Sequence, residues 1–320
     1  MSRESDPLDG WLPISITHFT QEPIVDWCRF GTRRFSEPFF DHTVQNELRK
    51  PFNLLFRHKT TLDMLVERQA LNPGLEPSGF IYHMSRCGST LACQMLDTVA
   101  EHTVLSEPPP IDTLLRLDRR GYSDEQRITY LRAWMNAISQ PRNGEKRLYV
   151  KLDAWHVFDL PLLRLAFPDT PWVFLYRNPL EVMVSALRSP GMHMIRNYLT
   201  EDQTGIDPAS VPHMTQTEYM ARILESLLRS ALQHLEPLAG KALDYTGLPE
   251  SVITEIAPHF GLKLTADQIQ VMRKKTAFHA KSPSEFFQPD AQSKQAEASE
   301  EIRRLCTTLL DPLYDQLRQL

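Results

Sequence analysis

From residue 79 onward, short unbroken apolar runs alternate with longer stretches in which apolar residues recur every three or four positions. Unbroken runs suit strands buried on both faces, and the longer rhythm suits helices with one apolar face. Strands are predicted at 79–84, 103–106, 147–152, 172–176 and 241–245, and helices at about 89–101, 110–119, 123–139, 157–167, 179–188 and 215–236. Such alternation predicts an α/β fold, a parallel sheet with helices on both faces in three layers. Ligands of these sheets gather at the carboxyl ends of the strands, so the polar residues just after each strand carry the chemical information.

Residues 1–78 break the alternation. They are rich in aromatics (Trp11, Trp27, Phe35, Phe39, Phe40, Phe52, Phe56) and are interrupted by Pro13, Pro23, Pro38 and Pro51. So many aromatics do not suit a disordered tail, and the segment reads as an ordered N-terminal extension packed on a main domain at 79–320. Residues 281–299 are polar and read as a long loop before a final helix, and long loops of this kind are often lids.

Composition narrows the classes. The chain has 320 residues, 42% hydrophobic and 23% charged, enough for one large α/β domain with an appendage. Thirty-five basic and 40 acidic residues leave a net charge of −5, which argues against a nucleic-acid partner and requires any basic pocket to be local. Cys28, Cys87, Cys93 and Cys306 lack metal-ligand spacing and suit a reducing compartment. The polar start MSRESDPLDGW does not read as a signal sequence, and no run approaches the roughly 20 apolar residues of a span. The expectation is a soluble cytoplasmic protein with no membrane partner, a monomer or homodimer.

The most specific segment is Gly79-Phe-Ile-Tyr-His-Met-Ser-Arg-Cys-Gly-Ser-Thr90, a strand running into a turn and a helix. A helix N-terminus offers backbone N–H groups and a partial positive charge, so such a junction suits a phosphate or sulfate. Gly88 provides the bend, Ser89 and Thr90 add hydroxyls, and Arg86 adds a cation able to fork onto two oxygens. A nucleoside triphosphate loop would read G-x-x-x-x-G-K-[ST]; here Ser89 comes directly after Gly88, and His83 stands where the first Gly would fall. The same small residues also suit a plain strand–helix turn. After the strand 172–176, Asn178 and Pro179 read as a helix start, with Arg177 at the strand end and Ser185 two turns along. That pair can grip a second phosphate, or form a helix-edge salt bridge and a packing contact.

Taken together, Ser85-Arg86-Cys87-Gly88-Ser89-Thr90 after one strand and Arg177 with Ser185 after a later one resemble the two cofactor motifs of sulfotransferases, over roughly residues 79–320. The resemblance implies a P-loop-like sulfotransferase architecture using 3′-phosphoadenosine 5′-phosphosulfate, with adenosine 3′,5′-bisphosphate as product. It implies that Arg86, Cys87, Gly88, Ser89 and Thr90 hold the phosphosulfate, and Arg177 and Ser185 the 3′-phosphate. Tyr245 and the loop from Lys281 to Lys294 sit where such proteins carry similar cofactor-covering pieces. A transferring sulfuryl group carries less charge than a phosphoryl group, so protein donors and cations can stabilise in-line transfer, and no metal is expected.

Transfer requires a base for the acceptor's proton and a cation at the leaving oxygen, the latter role suiting Arg86. Glu107, held by Pro108, Pro109 and Pro110 at a strand end, is the first candidate base, although it also suits a helix start. Lys151, Asp153 and His156 come after another strand; sulfotransferases place a Lys and a catalytic His after a strand here, at closer spacing than Lys151 to His156. His156 beside Trp155 equally suits a packed residue, and Asp153 a helix cap. The stretch Ser189–Ile195, with Met192, His193 and Met194, suits the lining of an apolar acceptor pocket or a plain turn. The acceptor's hydroxyl or amine belongs to a small molecule, a peptide or a carbohydrate. A magnesium-dependent small-molecule kinase and a non-catalytic nucleotide-binding protein are the rival classes.

Overall fold

A computed structural model describes residues 7–17, 22–235, 238–279, 282–286 and 290–320, with the side chains of 278–289 outside the description. Three strands open the chain, β1 (Trp11–Thr17), β2 (Ile24–Arg29) and β3 (His58–Thr61). They form an antiparallel sheet in the order β1-β2-β3, with a register shift between Pro13 and Ser15. Five more strands come next: β4 (Pro77–His83), β5 (His102–Ser106), β6 (Arg147–Lys151), β7 (Trp172–Tyr176) and β8 (Lys241–Asp244). They make a five-stranded sheet in the order β5-β6-β4-β7-β8, with the pairs β5–β6, β4–β7 and β7–β8 parallel. Strand β7, Trp-Val-Phe-Leu-Tyr, is buried at every position, which is why it reads as an unbroken apolar run.

Tertiary contacts group the chain into two units. The first is Met1–Gly79, Leu96–Lys151 and Pro161–Thr170. Directed bonds tie its N-terminal segment to its later residues: Trp134 Nε1 donates to the Pro13 carbonyl at 3.1 Å, and Tyr130 Oη to Asp63 Oδ1 at 2.9 Å. Arg34 donates to the carbonyls of Asp97, Val99 and His102, and Arg142 to those of Gly31 and Arg33. Trp27, Trp134, Leu65 and Leu131 are fully buried in this unit. The described residues of this aromatic-rich segment form their own sheet and the helices Phe40–Leu48 and Leu62–Leu71.

The second unit is Phe80–Met95, Leu152–Leu160 and Pro171–Leu320. Its buried residues include all of β7 and much of the long helix Gln216–Leu235, whose Ile223, Leu224, Leu227 and Leu228 are completely buried. The predicted helix at 179–188 is present over Pro179–Arg188, started by Pro179 and capped by Asn178 Oδ1, which accepts from Leu180 N–H at 3.0 Å. The expected loop at 281–299 is corrected in part: Ser282–Phe286 is a strand and Ala291–Glu297 a helix. The helix is held by the Lys294–Asp290 and Arg188–Glu297 ion pairs, which a polar composition does not reveal.

Candidate functional site

The loop between β4 and the helix Ser89–Leu96 has an unusual backbone. Gly88 has φ +81°, and Ser85 and Arg86 share the left-handed region at φ 74° and 53°. Residues with a Cβ adopt that region at a cost and persist there only where their surroundings enforce it. The enforcement is visible. Met84 N–H and the Cys87 thiol both donate to the Leu175 carbonyl, at 3.1 and 3.0 Å, and Ser85 N–H donates to His83 Nδ1 at 3.0 Å. Cys87 is fully buried, so its thiol anchors the loop to β7 and only its backbone is left to face a ligand.

Gly88 is required by space as well as by φ. A Cβ there would collide with Leu248 Cδ1 and lie 3.0 Å from Tyr245 Cδ2. Ser89 and Thr90 are each 5% exposed at the start of the helix. A helix start beneath a glycine bend with two hydroxyls has the chemistry to cradle an anion. Arg86 is half-buried; burial lowers its pKa, and its Nη2 donates to the Ser189 carbonyl at the end of the helix Pro179–Arg188.

The second anion candidate is built around Arg177, 5% exposed at the carboxyl end of β7. Its Nε donates to Glu181 Oε2 at 2.6 Å and its Nη2 to Asp290 Oδ1 at 2.7 Å, while its guanidinium lies 4.1 Å from the centre of the Tyr245 ring. Asp290 Oδ2 is 2.7 Å from Lys294 Nζ, and Gln295 Nε2 donates to Glu181 Oε1 at 2.8 Å. Burial works against the charge on Arg177, but the bonds to Asp290 and Glu181 outweigh it and raise its pKa. Burial likewise opposes the Asp290 charge, and the bonds from Lys294 and Arg177 overcome it, holding the carboxyl below its usual range. Lys294 is lowered, chiefly by its own burial.

Of the cofactor residues expected from sequence, Arg86, Cys87, Gly88, Ser89, Thr90, Arg177, Ser185, Tyr245 and Lys294 all lie in the second unit. Ser185 is partly buried, one turn beyond Glu181 on the helix that begins just after Arg177. Tyr245 and Lys294 touch the Arg177 cluster directly or through Asp290. Lys281 lies outside the described residues. Sequence reasoning missed Glu181, Asp290 and Gln295. Glu181 had a signal, since a carboxylate four residues after Arg177 on a helix is an expected partner.

The candidate bases divide between the units. In the first, Glu107 has φ 55°, its N–H donates to the Lys151 carbonyl at 2.8 Å, and its Oε1 lies 2.9 Å from Lys151 Nζ. Lys151 is 1% exposed, with its ammonium 4.9 Å from the centre of the Phe39 ring. Glu107 is thus a non-glycine residue in the left-handed region with its carboxylate on a buried lysine, and it precedes rather than joins the helix Pro109–Leu115. In the second unit, His156 is 1% exposed and its Nδ1 accepts from Asp153 N–H at 3.2 Å. That pair closes the turn at Ala154–Val157. His193 and Met194 are buried, with the Trp155 ring 5.8 Å from that of His193, whereas Met192 is exposed. Among the described residues no three His, Cys, Asp or Glu side chains come together as a metal-ligand set.

No family model and no curated protein matches this chain. Among solved structures it is similar to sulfotransferase STF9 from Mycobacterium avium, with 15% identity over 78% of this chain and 81% of that one and a TM-score of 0.48. It is similar to a sulfotransferase from Alicyclobacillus acidocaldarius, with 16% identity over 76% and 95% and a TM-score of 0.46. It is also similar to the sulfotransferase domain from the Curacin biosynthetic pathway, with 15% identity over 74% and 97% and a TM-score of 0.40.

Proposed function

We propose that this protein is a sulfotransferase that moves a sulfuryl group from 3′-phosphoadenosine 5′-phosphosulfate to a hydroxyl or amine of an acceptor. The observation that carries the reading is the loop Met84–Gly88: two strained non-glycine residues and a glycine at φ +81° closely approached by Leu248 and Tyr245, ahead of the buried hydroxyls of Ser89 and Thr90. A left-handed glycine bend leading into a helix start with two hydroxyls fits a phosphate-like group. The lysine that would meet a terminal phosphate in a nucleotide kinase is replaced by Ser89, which favours transfer of a less charged group.

In this reading the loop amides, Ser89, Thr90 and Arg86 hold the phosphosulfate end, and Arg177, Ser185, Tyr245 and Lys294 the nucleotide's 3′-phosphate end. Bound there, the donor supplies the sulfuryl group. Arg86 exchanges the Ser189 carbonyl for the developing charge on the leaving oxygen, a stronger partner than a neutral carbonyl. Glu107 takes the acceptor's proton, and Lys151 holds that carboxylate in place. Asp153 and His156 shape the turn after β6.

Titration calorimetry with adenosine 3′,5′-bisphosphate in chelator tests the reading. Micromolar or tighter binding is expected. Binding of ATP only with magnesium, and none of the bisphosphate, would replace it with the kinase class.

A further inference from the structure

Residues 49–59 read Arg-Lys-Pro-Phe-Asn-Leu-Leu-Phe-Arg-His-Lys, and all but Asn53 are exposed. Phe52, Leu54, Leu55 and Phe56 keep 45, 67, 77 and 55% of their surface in solvent. Single exposed apolar residues are ordinary, but four large ones within five positions form a contiguous patch. The patch is held open by anchored backbone rather than by fraying. Asn53 is buried beneath it, donating to the carbonyls of Arg29 and Glu47, both at 2.9 Å, and accepting from Arg29 N–H at 3.0 Å. Above it, the Phe52 and Phe56 rings stand 5.0 Å apart.

The rim of this patch is cationic. Arg49, Lys50, Arg57 and Lys59 fall within it, and no acidic residue occurs between Glu47 and Asp63. From neighbouring elements, Glu47 meets Lys50 at 2.7 Å and Arg33 at 3.7 Å, and Asp26 lies 3.8 Å from both Arg57 and Lys59. Arg29 adds a further cation over the Phe52 ring. Positive charge therefore exceeds negative around the patch, on a chain whose net charge is −5. A second copy placed symmetrically on this patch would set like-charged rims against each other. An apolar tip ringed by lysine and arginine instead matches the boundary between acyl chains and anionic headgroups.

We propose that the segment Arg49–Lys59 docks the protein peripherally on an anionic lipid bilayer, with Phe52, Leu54, Leu55 and Phe56 entering the interface and the four cations meeting lipid phosphates. No span is needed for this, and the sequence-based expectation of no membrane partner rested only on spans.

Co-sedimentation of the full chain with vesicles of phosphatidylcholine alone, or mixed with phosphatidylglycerol, tests it. Binding to the mixed vesicles only is expected, weakening as salt rises. The exposed double variants Leu54→Ser/Leu55→Ser and Lys50→Glu/Lys59→Glu should each reduce partitioning at least about tenfold, with circular dichroism and melting unchanged. Failure to bind mixed vesicles, equal binding to both vesicle types, or binding indifferent to both variants would overturn the proposal. So would a dimer in sedimentation velocity that Leu54→Ser/Leu55→Ser dissociates, because the patch would then belong to a second copy.

Discussion

Asp290 closes on Arg177: one carboxylate oxygen sits 2.7 Å from the guanidinium while the other sits 2.7 Å from Lys294 Nζ. A carboxylate bridging two cations engages the same groups that the proposed function assigns to a phosphate. If Arg177 and Lys294 grip a nucleotide phosphate, that phosphate must displace Asp290, and breaking a half-exposed pair costs up to about 1 kcal/mol. Asp290→Ala should therefore bind adenosine 3′,5′-bisphosphate more tightly, by about three- to fivefold in calorimetry. Weaker binding by the variant would show that Asp290 supports the ligand instead of competing with it.

Gly88→Ala tests the loop. Alanine would be forced to φ near +81° with its methyl in collision with Leu248, next to Tyr245. Left-handed strain and overpacking together should lower stability by about 2–4 kcal/mol in urea unfolding, and bisphosphate affinity should fall with it. Adding Leu248→Ala removes the collision but not the strain, so the double variant should recover more than the two single effects predict. Unchanged stability of Gly88→Ala would refute the close approach.

The elements that carry this loop were legible in the sequence for physical reasons. Strand β7 is apolar throughout because it is covered on both faces, and the helix Pro179–Arg188 announces itself through Asn178 and Pro179. The N-terminal sheet was not legible, because β1 carries Pro13 and a register shift that blur its alternation. Nor was the Arg177–Asp290 pair, whose members lie 113 residues apart and meet only through folding. The left-handed backbone of Ser85, Arg86 and Glu107 has no sequence signal either, since residues other than glycine rarely adopt it.

The Asp290 pairing also has a pH signature. Its folded-state pKa is depressed because the bonds from Lys294 and Arg177 outweigh its burial. A depressed carboxyl stabilises the fold above its unfolded value, about 4, and that contribution is lost as pH falls through the lower folded value. The difference in urea midpoint between wild type and Asp290→Asn should thus be constant from neutral pH down to about 5 and shrink below about 4. Because Asp290 is half-exposed, added salt should reduce the difference at every pH. A difference that grows on acidification would contradict the assigned pairing.

Glu107 and Lys151 give the sharpest test of the chemistry, since Lys151 is buried and lies 2.9 Å from the carboxylate. If Glu107 is the base, Glu107→Gln should lower sulfuryl transfer by about 10²–10⁴-fold while bisphosphate binding is retained. Lys151→Met removes the cation that holds the carboxylate but leaves the carboxylate itself, so turnover per folded molecule should fall by less than in Glu107→Gln while bisphosphate binding is retained. Loss of a buried partner should also destabilise this variant, by about 3 kcal/mol, so rates must be compared per folded molecule. A Lys151→Met protein that is merely less stable, with its turnover per folded molecule unchanged, would reduce the pair to a structural role and send the search for the base to Asp153.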